Sequence, residues 1–318
     1  MSGAKPLAGK VAVVAGATRG AGRGIACMLG EAGAVVYCAG RSTRAEPSPS
    51  RPETLEETAE KVDAFGGKGI PVRTDFLRET EVASLFDRVK AEQGRLDVLV
   101  NDIWGGEQAV EWMKPFWELD PGKGLPMVVN ALHTHILSSR YGAPLLIGTG
   151  RGLIVEITDG DTFGYRGNYL YDLVKSTVIR MAFGQAYELR RKNVAAVALT
   201  PGFLRSEAML ELFGVTEADW KKGAAQDPHF IASETPCFVG RAVAALAADP
   251  RVMEKSGRVF SSWGLSDEYG FTDLDGSRPH WGRHWEQAFG KPLRPMDAAF
   301  YAYGSDAPFA AVAPDWPA

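Results

Sequence analysis

Tyr171 and Lys175, four residues apart, carry the first chemistry the sequence offers. Side chains at that spacing share one face of a helix. A free phenol titrates near 10, too high for a base at neutral pH. A neighbouring ammonium favours the phenolate and lowers that value. Tyr171 beside Lys175 is therefore placed to give a proton to a carbonyl oxygen or to take one from a hydroxyl. The alternative is an ordinary amphipathic helix with an exposed lysine.

A second pattern lies near the start, where Gly16-Ala17-Thr18-Arg19-Gly20-Ala21-Gly22 follows the apolar run Val11 to Ala15. Glycines let a backbone turn sharply and approach a pyrophosphate, and a helix that starts there offers N–H groups and a positive dipole end. The spacing is G-x-x-x-G-x-G, unlike the commoner G-x-G-x-x-G. A carboxylate at the end of the next strand would bind the ribose hydroxyl of NAD, whereas an arginine accommodates the extra phosphate of NADP. Tyr37 to Ser42 holds no acid and ends on Arg41; Arg44 follows, and Arg19 in the glycine loop can reach the same phosphate. Guanidinium groups suit phosphate because they bond it as a fork. The cofactor implied is NADP(H); solvated surface arginines are the alternative.

These residues need a frame. Short apolar runs predict strands at Val11 to Ala15, Ala34 to Ala39, Gly69 to Arg73, Leu96 to Asn101, Leu153 to Ile157, Val194 to Leu199 and Arg258 to Ser261. Helix-period stretches predict helices at Gly22 to Gly33, Thr54 to Phe65, Glu79 to Gln93, Gly124 to Leu146, Asn168 to Arg191 and Thr235 to Ala248. Unbroken apolar strands alternating with helices predict an α/β fold with a parallel sheet covered on both faces. Arg41 to Pro52 reads as a surface loop. The tail after Trp263 shows no clear period and is expected to wrap the domain. The expectation is one domain over residues 1–318, with a core at about 8–263 and an extension at 264–318.

Composition narrows the classes. Of 318 residues, 45% are apolar and 23% charged, and the net charge is −4. These values suit an ordinary globular chain and give no basic footprint for nucleic acid. No run reaches the ~18 apolar residues of a membrane span, and Met1 to Lys10 has no long apolar leader. A cytoplasmic location is expected. Cys27, Cys38 and Cys237 are scattered and read as packed free thiols. His133 and His135 face different ways on a helix, and His280 and His284 sit among Trp281 and Trp285, so no metal is expected.

Together, Gly16-x3-Gly20-x-Gly22 and Tyr171-Asp172-Leu173-Val174-Lys175, in this order, resemble the short-chain dehydrogenase/reductase family over roughly Lys10 to Ser262. The resemblance implies a Rossmann-like, doubly wound sheet of seven parallel strands and hydride transfer at a nicotinamide. It gives Lys175 a hold on the nicotinamide ribose. The family's serine thirteen residues before the tyrosine falls on Thr158, whose hydroxyl can still donate to a carbonyl oxygen; a strand-end cap is the alternative. Asp159 is the other polar candidate there, though an anion beside a developing alkoxide is unfavourable. Asn130 resembles the family's fourth catalytic residue, or else is a satisfied structural Asn. Asp75, Asn101 and Pro201-Gly202 resemble contacts to the adenine, the cofactor at the fourth strand end and the nicotinamide. Asn101-Asp102-Ile103-Trp104-Gly105-Gly106 departs from the family's usual Asn-Ala-Gly.

Two long connections could line a substrate pocket: residues 103–126 with Trp104, Trp112, Phe116 and Trp117, and residues 203–232 with Phe203, Met209, Leu212 and Phe213. Long connections in compact domains are usually functional. Apolar walls suit a hydrophobic carbonyl or alcohol, while packing onto the core or a partner subunit is equally open. The expected activity is an NADP(H)-dependent carbonyl reductase or alcohol dehydrogenase, and the resemblance implies a homodimer or homotetramer assembled through the helices of Asn130 and Tyr171. The alternatives are an NADP-binding regulatory or scaffold protein with little turnover, and a lyase or epimerase of the same family.

Overall fold

A computed structural model describes residues 5–49, 51–106, 109–162 and 164–290. Seven strands form one sheet: β1 (Val11–Ala15), β2 (Val35–Gly40), β3 (Lys68–Arg73), β4 (Val98–Asn101), β5 (Gly152–Ile157), β6 (Val194–Thr200) and β7 (Val259–Ser261). Their spatial order is β3-β2-β1-β4-β5-β6-β7. All six pairings are parallel. The chain reverses its direction of travel across the sheet between β1 and β4. In open α/β sheets that switch point opens a crevice beyond the strands' carboxyl ends.

Alternate residues of a strand face opposite ways, and here both faces are covered. Ala12 and Val14 of β1 join one apolar cluster with helices α1 (Gly20–Glu31), α2 (Leu55–Ala64) and α8 (Pro236–Ala248). Val11, Val13 and Ala15 join the other, with α3 (Glu79–Gln93), α5 (Thr134–Thr149) and α6 (Tyr169–Leu189). Burial on both faces explains why the strands read as unbroken apolar runs. Cys27 and Cys38 are buried, Cys237 is partly so, and all three are free thiols.

The helix expected over Gly124 to Leu146 is instead interrupted. It comprises α4 (Pro121–Val128), a π-helical turn over Val129–His133, and α5. Asn130 sits in that wider turn, where its carbonyl accepts the Thr134 hydroxyl in place of regular ladder geometry. The tail also departs from expectation, since α9 (Ser262–Tyr269) and α10 (Trp281–Phe289) are helical. Gly270, Gly276 and Pro279 break any continuous period across them. The short α7 (Glu207–Leu212) lies in the 203–232 connection. The tail beyond residue 290 lies outside the described residues.

Candidate active site

The glycine loop leaves β1 and enters α1 at the crevice. Gly16 has φ +95°, and a Cβ there would collide with the Asp102 backbone. A Cβ at Gly22 would collide with the Gly16 carbonyl. Neither position tolerates a side chain, which is what a backbone cradle for a pyrophosphate requires. Thr18 is buried in the turn, with its hydroxyl beside Gly40 at the end of β2. Arg41 follows at the surface and makes no hydrogen bond or ion pair among the described residues. The other two arginines are engaged: Arg44 pairs with Glu60 at 2.7 Å and Arg19 faces Glu53 at 3.5 Å. Asp75 lies two residues past β3, where its carboxylate accepts the Leu77 N–H at 3.1 Å.

Asn101 ends β4, but its side chain does not reach the crevice. It is fully buried, and its amide donates to Ser139 Oγ and Glu156 Oε1, each at 2.9 Å. Glu156 is the centre of a buried polar network. It also accepts Gln185 Nε2 at 2.8 Å and faces His135 Nδ1 at 2.7 Å. His135 Nε2 then meets the Ile103 carbonyl at 3.1 Å. The network thus pins the atypical segment that carries Trp104. The sequence held one signal for it, an acid inside the otherwise apolar run Leu153 to Ile157, because buried carboxylates need partners.

Tyr171 stands on the first turn of α6, capped by Asn168. Its ring lies between Trp104, at 5.3 Å between ring centres, and Trp112, at 5.1 Å. Lys175 places its ammonium over the Trp104 face at 4.3 Å and 5.6 Å from the centre of the Tyr171 ring. The lowering expected from Lys175 does not decide the phenol's pKa in this arrangement, where the net direction is upward. Burial pushes Tyr171 well above its ordinary value, and the Asp159 carboxylate adds to the rise, with Arg166 opposing. The phenol donates to Asp159 Oδ2 at 2.8 Å. Thr158 also departs from expectation. Its buried hydroxyl donates to the Lys175 carbonyl at 2.7 Å, so it fixes the helix rather than facing an open site. Thus Asp159, weighed in the sequence as an unfavourable neighbour, is the polar group at the phenol.

The long connections divide. Trp104 and Trp112 flank Tyr171, whereas Phe116 packs on Trp117 and Tyr169, all three of them exposed. Phe203, Phe213 and Phe230 pack on one another, and Trp281 of α10 closes on Phe203. His284 of the same helix meets His229 at 3.0 Å. Among the described residues no cluster of three metal-ligating side chains occurs.

Pro201-Gly202 follows β6, and its turn rests on a buried acid the sequence did not flag. Glu234 Oε2 accepts the Gly202 N–H at 2.9 Å and the Ser262 hydroxyl at 2.6 Å. Glu234 Oε1 is buried without a hydrogen-bond partner. Burial raises this carboxyl from 4.5 to about 8 against those two hydrogen bonds. A folded value above the unfolded one gives stability that is complete below 4.5 and lost as pH rises through about 8. Glu234→Gln keeps the acceptor and cannot ionise. It is expected to gain on the order of 2–4 kcal/mol relative to wild type between acidic and alkaline buffer. Thermal unfolding of both proteins across that range checks it; a constant difference would refute it.

The comparisons agree with this architecture. Residues 10–214 match the short chain dehydrogenase family. The chain belongs to that family, and it is an oxidoreductase of the dehydrogenase/reductase kind, acting on CH–OH and C=O groups. It is 39% identical over 278 residues to dehydrogenase/reductase SDR family member 1 of Mus musculus, covering 85% of each chain. It also resembles the structure of a short-chain dehydrogenase/reductase from Burkholderia xenovorans, with TM-score 0.66, 26% identity and coverage of 81% of this chain and 96% of that one. A gluconate 5-dehydrogenase structure from Beutenbergia cavernae, described as NAD(P) dependent and with bound NADP, matches at TM-score 0.63 and 27% identity. That match covers 82% of this chain and 97% of the other. The family uses NAD(P). Among the described residues no helix is long and apolar enough to cross a membrane.

Proposed function

We propose that the protein is an NADP(H)-dependent carbonyl reductase or alcohol dehydrogenase for a hydrophobic substrate. The observation that carries the reading is the alignment, along one sheet edge, of the side-chain-free Gly16 and Gly22 cradle, the unpaired Arg41 and the Trp-flanked Tyr171. When bound, the nicotinamide supplies or accepts the hydride. Gly16, Thr18, Gly20 and Gly22 would cradle the phosphates, and Arg41 the ribose 2′-phosphate, which finds no competing acid at the end of β2. Asp75 would meet the adenine, and Pro201-Gly202 would back the nicotinamide. Lys175, held by Thr158 and by Trp104, would bond the nicotinamide ribose hydroxyls. Tyr171 holds the exchanged proton on its phenol oxygen. Asn130, in the π-helical turn, would order water on the path to Lys175. Trp104 and Trp112 exclude water and supply the apolar wall that suits a hydrophobic substrate.

Assembly into a homodimer or homotetramer is part of the reading. Leu125, Val129 and Ile136 along α4–α5 are exposed, as are Tyr169 and Leu173 on α6. The reading takes the chain as one domain with an extension past 263, in the cytoplasm. The deciding experiment compares NADPH and NADH oxidation over a panel of hydrophobic aldehydes and ketones, in wild type and Arg41→Ala. Wild type is expected to prefer NADPH, and the variant to lose that preference by about 10- to 100-fold, the worth of one charge-assisted phosphate contact. An unchanged ratio would remove Arg41 from the cofactor site.

A further inference from the structure

The first N–H of α1, at Gly20, already has an anionic partner. It donates at 2.8 Å to Glu207 Oε2, from the first turn of α7, 187 residues downstream. The other Glu207 oxygen faces Arg23 Nη1 at 3.4 Å. One turn further along α7, Glu211 pairs with Arg51. Arg51 also holds Glu53 at 2.9 Å, and Glu53 faces Arg19 of the glycine loop at 3.5 Å. Carboxylates thus occupy the Gly20 N–H and the Arg19, Arg23 and Arg51 guanidinium groups around the phosphate cradle. The N-terminus of a helix favours an anion through its free N–H groups and dipole. A pyrophosphate seated on the Gly20–Gly22 turn needs that same N–H and cannot share it with a carboxylate of like charge. Glu207 is free to leave, since its side chain is 28% exposed. Its departure would release α7, which Ser206 caps at its start and which belongs to the 203–232 connection.

We propose that Glu207 is a built-in stand-in for the dinucleotide's phosphates. It latches α7 across the crevice in the free protein, and dinucleotide binding displaces it and frees α7. The inference rests on the cofactor reading above. It makes cofactor entry and mobility of the substrate-side connection a single event: each molecule of dinucleotide must break the Glu207 contact, and each departure restores it. Affinity is set by the difference between the two occupants, not by the cradle alone.

The test uses the full chain, with NADPH as the probe. Its dissociation constant is measured by calorimetry for wild type, Glu207→Gln and Glu207→Ala. Amide hydrogen exchange is followed over residues 206–212. Removing the competing charge is expected to tighten NADPH binding by about tenfold, the scale of one charge-assisted hydrogen bond. In wild type, exchange in α7 is expected to rise when NADPH binds; in Glu207→Ala it is expected to be fast from the start. Binding that weakens or stays equal in both variants overturns the latch and leaves Glu207 as a cap on α1. NADPH binding that leaves α7 exchange in wild type unchanged or slower overturns it as well. Failure of all three proteins to bind NADPH overturns the cofactor reading, and the latch with it. Because Glu207 is half-buried on a short helix outside the sheet core, the variants are expected to fold; equal thermal midpoints without NADPH verify that.

Discussion

Tyr171→Phe is expected to lower turnover by about 10²- to 10⁴-fold, the worth of one positioned proton donor, whereas Asp159→Asn is expected to raise it. The two expectations share one cause. In the free protein the phenol proton is directed at Asp159 Oδ2, 2.8 Å away. Passing that proton to a substrate oxygen would leave a phenolate beside a carboxylate, and two like charges at that distance oppose each other. The same anion makes the phenolate scarce in the oxidative direction, since Asp159 acts with burial to raise Tyr171 above its ordinary value. Asn at 159 removes the charge and retains an oxygen to accept the phenol. Burial remains, so the pKa falls only part of the way. For alcohol oxidation the limb that rises with pH should move to lower pH, and the rate below it should increase about tenfold for each unit of that movement. The measurement is a pH profile of kcat for wild type and Asp159→Asn with the best alcohol of a hydrophobic panel. A rate that falls in the variant would show that Asp159 takes a proton through Tyr171 and is needed. Tyr171→Phe in both backgrounds separates the two outcomes, because Asp159 can act only through that phenol.

Residues whose roles depend on local spacing are legible in the sequence. Strand β1 and helix α3 were placed to the residue, and the glycine loop, Tyr171 and Lys175 all fall along one edge of a parallel sheet, as their sequence positions imply. The periodicities that set those elements act over a few residues. What the sequence did not reveal depends on partners far along the chain. Glu156 meets His135, 21 residues away, and Glu207 meets Gly20 from 187 residues away. The apolar neighbours of Glu156 announce that it needs partners but not which ones, and nothing in the neighbours of Glu207 announces its meeting with Gly20. Asn130 lies between the two cases. A poor helix former inside a helix signals that something is unusual, yet only the backbone reveals a π-helical turn there. Asn101 and Thr158 illustrate a further limit. Position at a strand end brings a residue to the crevice, but burial and a nearby acceptor decide which way its side chain turns.

The buried network under that edge yields the second large effect. Glu156 is fully buried and serves Asn101, Gln185 and His135 at 2.7–2.9 Å. Truncation in Glu156→Ala strands those buried groups without a partner, and the cost expected is about 3–5 kcal/mol. In a chain of this size that lowers Tm by roughly 4–8 °C. Glu156→Gln decides whether charge or hydrogen bonding matters. His135 Nε2 faces the Ile103 carbonyl and must carry a proton to bond it. Nδ1 is then free to accept. A glutamine can donate its amide to Nδ1 while its oxygen accepts Asn101 and Gln185, so every bond survives with no charge in the core. Glu156→Gln is therefore expected to stay within about 1 kcal/mol of wild type. A loss as large as that of Glu156→Ala would mean that His135 is a buried imidazolium requiring its carboxylate. Denaturant unfolding of the three proteins measures the difference. The network reaches toward Lys175 through Ile103 and Trp104, so Glu156→Ala should also loosen the Trp104 indole that the Lys175 ammonium covers. The readout is a rise in KM for the dinucleotide larger than the fall in kcat, which a purely global loss of stability would not produce below the unfolding transition.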